Sequence, residues 1–157
     1  HMMETFRRAH AHKGAAFVEI YQNCNVFNDG AFEPLTGKAN RDDMLIPLVH
    51  GEQIRFGKDK EKGVAMGTDG RLQIVDVAAV GEENILVHDE ANDRGLGFML
   101  SRLSRSPHEP TPIGVFRAVE HPEYSDGVEA QIVAAQDRSG PGDLEALLHS
   151  APTWTVD

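Results

Sequence analysis

The chain has 157 residues, 40% of them apolar and 25% charged, which is the composition of a folded globular domain rather than a disordered one. Acidic residues outnumber basic ones by 25 to 15, for a formal charge of −10, and this disfavours binding to nucleic acid or to an acidic membrane. The single cysteine, Cys24, excludes an internal disulfide and a metal site made only of this chain's cysteines.

The N-terminal third predicts one α/β unit. Residues 4–12 favour a short helix that stops at Gly14, and the apolar run 15–21 favours a buried strand. Residues 22–30 (QNCNVFNDG) contain the Asn, Asp and Gly residues that are typical of turns. Loops that follow strands form the ligand crevice of open α/β sheets. The pattern therefore places Cys24 in a loop of the kind that usually carries catalytic or binding residues.

The middle of the chain predicts a small antiparallel patch. Asp69-Gly70 lies between the apolar runs 63–66 and 72–77 and is a strong hairpin signal. Short strands are predicted at three further places, and helices at three others: strands over 54–56, 85–88 and 113–116, helices over 96–103, 128–135 and 144–148. Few of these strands suit a place beside the 15–21 strand, which suggests a piece of a larger domain or one completed by another subunit.

The residues alone leave three roles open for Cys24. It could be a nucleophile with His50 or His88 as the base, a ligand of a metal cluster, or a packed thiol. His10 and His12 could chelate a metal if they lay on a strand, but a solvated helix end is the simpler interpretation. His88-Asp89 could orient a general base, and His50-Gly51-Glu52 predicts a turn.

Residues 12–35 (HKGAAFVEIYQNCNVFNDGAFEPL) resemble the beta subunit of the 2-oxoacid:ferredoxin oxidoreductases, and most of all the two-subunit type assigned to 2-oxoglutarate. Further similar segments extend the resemblance over nearly the whole chain: 50–57 (HGEQIRFG), 69–77 (DGRLQIVDV), 87–89 (VHD), 112–126 (PIGVFRAVEHPEYSD) and the closing Thr153-Trp154-Thr155-Val156.

The resemblance implies a fold and an activity. The fold would be α/β: residues 3–30 would be the last helix and strand of a thiamine-diphosphate-binding domain. Residues 31–157 would be a small α+β C-terminal region with a β-hairpin and terminal helices. The family decarboxylates a 2-oxoacid with thiamine diphosphate, Mg²⁺ and CoA, and passes electrons through a [4Fe–4S] cluster to ferredoxin. The resemblance makes Cys24 the fourth cluster ligand, and it assigns no catalytic residue to this chain.

The chain also departs from the family pattern. It contains neither the three other cluster cysteines nor the Gly-Asp-Gly…Asn segment that would hold Mg²⁺ and the diphosphate. We therefore expect the isolated chain to bind no cofactor and to be inactive. It would be a truncated chain, the product of a misassigned start, or a separate polypeptide that completes another chain.

Two functions follow as hypotheses. The first is a C-terminal segment of an oxidoreductase beta subunit, with the rest of that subunit, the alpha subunit and ferredoxin as partners. The second is a non-catalytic α/β module that docks to a partner chain. In both we expect a cytoplasmic protein, because no stretch reaches the roughly 20 apolar residues of a membrane span and the lone thiol suits a reducing compartment. Exposed apolar faces would also favour self-association of the fragment.

Overall fold

The computed structural model describes residues 1–91, 95–152, 154 and 156. Thr153 and Thr155 of the closing segment lie outside the described residues. The chain divides into two compact units. Unit 1 comprises His1–His12 and Ala16–Glu120, and unit 2 comprises Lys13–Ala15 and His121–Asp157.

Unit 1 contains short helices and two small sheets. Its helices are α1 (Met2–Ala11), α2 (Glu33–Thr36), α3 (Arg41–Met44), α4 (Val77–Val80) and α5 (Leu96–Ser101), with a 3₁₀ turn at Glu82–Asn84. Its strands are β1 (Leu45–Leu48), β2 (Arg55–Phe56), β3 (Lys62–Met66), β4 (Leu72–Asp76) and β5 (Thr111–Gly114). The mixture of helices with a parallel and an antiparallel sheet confirms the α/β class. The helices predicted over 4–12 and 96–103 are present with slightly different ends.

The antiparallel sheet has the order β2-β3-β4. Its β3–β4 hairpin confirms the prediction made from Asp69-Gly70, with Val64 opposite Ile74. The turn is held because the Asp69 carboxylate accepts the Arg71 N–H at 3.1 Å, and Gly70 adopts the left-handed φ of +75° that a glycine tolerates. The local turn chemistry therefore sets the register of this sheet.

Residues 85–88 do not form the predicted strand. The segment makes only isolated bridges, Ala65 with Ile85 and Gln53 with Val87. Its backbone bonds to two different segments, because the Leu86 carbonyl accepts from Ile54 while the Leu86 N–H donates to Val64. A chain that divides its hydrogen bonds in this way cannot build a continuous ladder with either neighbour.

A parallel pair, β1 with β5, forms the second sheet. Leu45 is opposite Thr111 and Leu48 is opposite Gly114. The sequence predicted β5 two residues too late, over 113–116, and did not predict β1. Each strand contains a proline, Pro47 or Pro112, which hides the strand pattern and is tolerated only because both strands are edges.

The core of unit 1 lies where these two sheets and α5 meet. Its buried side chains are Ile46, Leu48, Ile54, Phe56, Val64 and Leu100. Leu96 and Leu103 pack against this cluster from the apolar face predicted for α5. The core therefore joins elements that are distant in sequence.

The buried strand predicted over residues 15–21 is wrong for this structure. The segment has no strand pairing, and Phe17 is 90% and Ile20 is 51% exposed. An apolar strand needs a neighbouring edge to satisfy its N–H and C=O groups, and no segment among the described residues pairs with it. The division of the chain at residue 30 and its assignment to a thiamine-diphosphate domain remain predictions.

Unit 2 consists mainly of α6 (Tyr124–Ser139) and α7 (Leu144–Leu148), which confirms both terminal helices. Helix α6 extends beyond the predicted 128–135 at each end. The Asp143 carboxylate caps α7 by accepting the Ala146 N–H at 2.9 Å. No described residue of unit 2 is buried. In neither unit is a described helix long and apolar enough to cross a membrane.

Candidate functional site

The predicted turn-rich loop around Cys24 is confirmed. Cys24 forms an isolated antiparallel bridge with Asn28, and the Asn28 N–H donates to the Cys24 carbonyl at 2.8 Å. This bridge closes a tight turn in which the Cys24 side chain stays partly exposed. The sulfur is thus held by a local turn rather than inside the core.

A second set of contacts, made by Asn23, holds the loop. Its side-chain amide donates to the Asp29 carboxylate at 2.8 Å, and its amide oxygen accepts the Gly30 N–H at 2.8 Å. Gly30 supports this bond with a left-handed φ of +71°. Asn23 therefore ties the two ends of the turn together.

An aromatic pair lies at the base of the loop. The rings of Tyr21 and Phe32 are stacked, with centroids 4.9 Å apart and planes at 12°. Burial is the main cause that raises the pKa of the Tyr21 hydroxyl. The stack brings the entry and exit of the loop together and so limits its movement.

The backbone of its own turn influences the ionisation of the Cys24 thiol. Hydrogen bonds from the N–H groups of Phe27, Val26 and Asn28, the Phe27 bond being the strongest influence, lower the pKa of the Cys24 thiol, and partial burial opposes them. These donors favour the thiolate, which is the form of cysteine that binds metals and acts as a nucleophile. The loop can therefore present one thiolate ligand at the surface.

Two apolar side chains in the Cys24 turn, those of Val26 and Phe27, are exposed. Val26 is 76% and Phe27 is 90% exposed. Exposed apolar side chains in the same turn as Cys24 suit a loop that is covered by another surface.

The histidines suggested as bases for Cys24 have other partners. His88 is 1% exposed, and its Nε2 lies 2.8 Å from the Val115 carbonyl. His50 lies 3.7 Å from the Asp89 carboxylate through Nδ1. Within the described parts of the chain neither ring hydrogen-bonds to Cys24, so the structure gives no support to a cysteine nucleophile.

The other histidine and metal suggestions gain no support either. His10 is exposed near the end of α1, and His12 follows that helix. No group of three or more His, Cys, Asp or Glu among the described residues could hold a metal ion. Residues 50 and 51 form the predicted turn, with Gly51 at φ +79°.

The sequence predicted the loop but not the part that Asn23 plays in closing it. The available signal was the spacing of Asn23 to Asp29 and Gly30 within a loop that lacks regular structure.

Comparison with known proteins gives one informative result. The chain is 41% identical over 159 aligned residues to the 2-oxoglutarate oxidoreductase subunit KorB of Mycobacterium tuberculosis. The alignment covers 99% of this chain and 42% of that subunit, so the chain spans less than half the length of its relative. No protein-family model matches the chain, and no solved structure matches it. The resemblance stated from the sequence is thus confirmed: along almost its full length this chain is similar to part of a 2-oxoglutarate oxidoreductase subunit.

Proposed function

We propose that this chain acts as the C-terminal segment of the beta subunit of a 2-oxoacid:ferredoxin oxidoreductase. The complete enzyme would convert a 2-oxoacid, 2-oxoglutarate in the first instance, to an acyl-CoA and would transfer the electrons to ferredoxin. Support comes from the similarity to KorB and from the geometry of the Cys24 loop. Within that enzyme the segment supplies one cluster ligand and contacts between subunits.

The observation that carries the proposal is the closed turn that holds Cys24 partly exposed, with the Asn28 N–H bonded to the Cys24 carbonyl and Asn23 bonded to Asp29 and Gly30. Hydrogen bonds to cluster sulfurs, together with solvent exposure, set the reduction potential of an iron–sulfur cluster. A loop that lowers the pKa of its cysteine in advance also reduces the cost of releasing the proton when iron binds. A lowered thiol pKa and a partly exposed sulfur support the role of a single cluster ligand for Cys24.

The donor set of this chain fits one corner of a [4Fe–4S] cluster and not a whole site. Four thiolates hold such a cluster, and the chain contains one cysteine. The remaining three ligands, and the groups that hold Mg²⁺ and thiamine diphosphate, would come from the rest of the beta subunit. When bound, the cluster supplies one-electron transfer, and this chain's part is to hold Cys24 in place through the closed turn.

The proposed partners are the remainder of the beta subunit, the alpha subunit and ferredoxin, in the cytoplasm. The segment over residues 15–21 supports the first of these, because its unpaired backbone and exposed Phe17 and Ile20 suit a strand that completes a sheet in a longer chain. We expect this chain to contact neither nucleic acid nor membrane.

Iron reconstitution of the isolated 157-residue chain tests whether one cysteine is too few to hold the cluster. We expect no stoichiometric iron and no brown absorbance band, because one thiolate cannot hold the cluster. The Cys24→Ser variant, treated identically, gives the level of non-specific iron. A stoichiometric cluster in the monomeric chain that depends on Cys24 would contradict the proposal.

The second candidate is a non-catalytic module that docks to a partner chain, and the exposed 15–21 segment also favours it. The DNA just upstream of the Met3 codon separates the two candidates. An in-frame continuation that encodes the other cluster cysteines and the Mg²⁺ loop supports the oxidoreductase. A stop codon followed by a ribosome-binding site would support the separate module.

A further inference from the structure

An open cleft of about 230 Å³ lies in unit 1, away from Cys24 in the sequence. Its apolar lining includes Pro47 and Ile113, and four charged residues also line it: Arg41, Asp42, Arg55 and Lys60. Three of these four charges are positive, in a chain whose formal charge is −10. The cleft is therefore locally basic on an acidic protein.

The loop that carries Lys60 is fixed by a series of hydrogen bonds. The Gly57 N–H donates to the Asp42 carbonyl at 2.8 Å, and the Lys60 N–H donates to the Gly57 carbonyl at 3.1 Å. The Arg55 Nε donates to the Lys60 carbonyl at 2.9 Å. These bonds attach the loop to α3 and β2, which form two sides of the cleft.

Lys60 is held in an unusual backbone conformation. Its φ of +55° is the one left-handed value at a non-glycine position among the described residues. Such a conformation costs about 1 kcal/mol or more for an ordinary residue and persists only where surrounding contacts impose it. The Arg55 bond to the Lys60 carbonyl is such a contact.

The four charged residues of the cleft have different roles. Arg55 is already paired, with its Nη1 2.9 Å from the Glu82 carboxylate, so it orders the loop. Arg41 and Lys60 make no ion pair with any described residue. Two cations that line the apolar cleft thus have no ion-pair partner among the described residues, and the Asp42 carboxylate in the same lining disfavours a ligand with a second negative charge.

From these contacts we propose that the cleft binds a small organic anion with one charged head. Arg41 and Lys60 bind a carboxylate or phosphate head, and the apolar body of the ligand lies on Pro47 and Ile113. The volume is below the roughly 300–1,000 Å³ of sites for drug-sized ligands, so the ligand, or the part of it that enters, is about the size of one substituted ring. This proposal does not depend on the proposed oxidoreductase function.

Titration of the 157-residue chain with phenyl phosphate and with benzoate, followed by amide NMR shifts at Gly57 and Lys60, tests the proposal. We expect saturable binding of at least one of them, tighter than that of inorganic phosphate or of phenol, because the site needs both a charge and a ring. The preferred head group identifies the ligand as a phosphate or a carboxylate. Binding should weaken as salt is added.

Charge-removing variants complete the experiment. Lys60→Gln and Arg41→Gln should each weaken binding about fivefold or more, because each removes a charge-assisted contact. Lys58→Gln is the matched control, since Lys58 is exposed in the same loop and does not line the cleft. Unchanged amide spectra elsewhere show that the variants fold. Equal binding by all three variants, or no saturable binding to the parent chain, would overturn the proposal.

Discussion

At the scale of single residues, the environment of Cys24 is set by its neighbours' backbone rather than by their side chains. Backbone hydrogen bonds from Phe27, Val26 and Asn28 lower the thiol pKa, and Asn23 holds closed the turn that contains these residues. The reactivity of the Cys24 thiol should therefore depend on Asn23, although the side-chain hydrogen bonds of Asn23 are with Asp29 and Gly30.

Asn23→Ala should raise the Cys24 pKa towards its ordinary value, because it removes the bonds to Asp29 and Gly30 that keep the turn closed. The pH dependence of alkylation by iodoacetamide measures this directly, since only the thiolate reacts. In the parent chain the midpoint should lie below that of a free cysteine, and in the variant it should move up.

Asn25→Ala is the control for this experiment, because Asn25 lies in the same loop and makes neither of the Asn23 bonds. Its alkylation profile should match that of the parent chain. If the Asn23 and Asn25 variants shift alike, or neither shifts, Asn23 does not order the donors around the sulfur.

At the scale of elements, the parallel pairing of β1 with β5 depends on a glycine. Gly114 has a φ of +132°, and a Cβ built on it would lie 2.8 Å from the Leu48 carbonyl oxygen. Both the conformation and the close approach exclude a side chain without backbone movement.

Gly114→Ala should therefore destabilise unit 1 by about 2 kcal/mol, from strain and from overlap with Leu48. Urea denaturation followed by the NMR signals of the buried Ile46 and Leu48 methyl groups measures the loss. Gly142→Ala is the control, since a Cβ there meets nothing within 4 Å, and it should change stability by less than about 0.5 kcal/mol. Equal urea midpoints for the two variants would show that β1 and β5 are not closely paired.

Local signals decided which elements the sequence could predict. The β3–β4 hairpin follows from Asp69-Gly70, and α5 follows from the spacing of its leucines, because both patterns lie within a few residues. The β1–β5 pairing joins distant segments that each contain a proline, so no local pattern indicates it. For residues 15–21 the sequence predicted a strand that the structure does not form. An apolar pattern becomes a strand only where a partner edge exists.

For the candidate site, too, only the local features could be predicted from the sequence. Three Asn, an Asp and a Gly around Cys24 predicted a loop, and the resemblance suggested the ligand role. The closure of the loop by Asn23, and the placement of Arg41 and Lys60 along one cleft, depend on three-dimensional structure that residue types do not encode. His88 illustrates the limit: the sequence suggested an orienting base, whereas the structure buries it against Val115.

At the scale of the whole molecule, the two units differ in how much they bury. Unit 1 has a core of buried apolar side chains, whereas unit 2 buries none of its described residues, and α7 exposes Leu144, Leu147 and Leu148 by 68–69%. Helices without tertiary burial are marginal in water. The exposed leucines also support the expected self-association of the isolated chain.

Hydrogen exchange should separate the units in the isolated chain. Amides of α6 should exchange much faster than those of β3 and β4, because opening α6 exposes no buried surface. The measurement is mass spectrometry of peptides from both regions, repeated across a dilution series. Protection of α6 that disappears on dilution identifies self-association. Protection of α6 equal to that of β3, and independent of concentration, would contradict the marginal stability of unit 2.

The most direct measurement concerns Cys24 inside a complete enzyme. This chain would replace the matching segment of the KorB subunit, and the chimera would be produced with its partner subunit, once with Cys24 intact and once with the Cys24→Ser substitution. We expect the Cys24 chimera to retain its iron and to reduce an electron acceptor when given 2-oxoglutarate and CoA, and the Cys24→Ser chimera to assemble but to lose iron and electron transfer. Full iron content and undiminished electron transfer in the Cys24→Ser chimera would contradict the assignment of Cys24 as a cluster ligand.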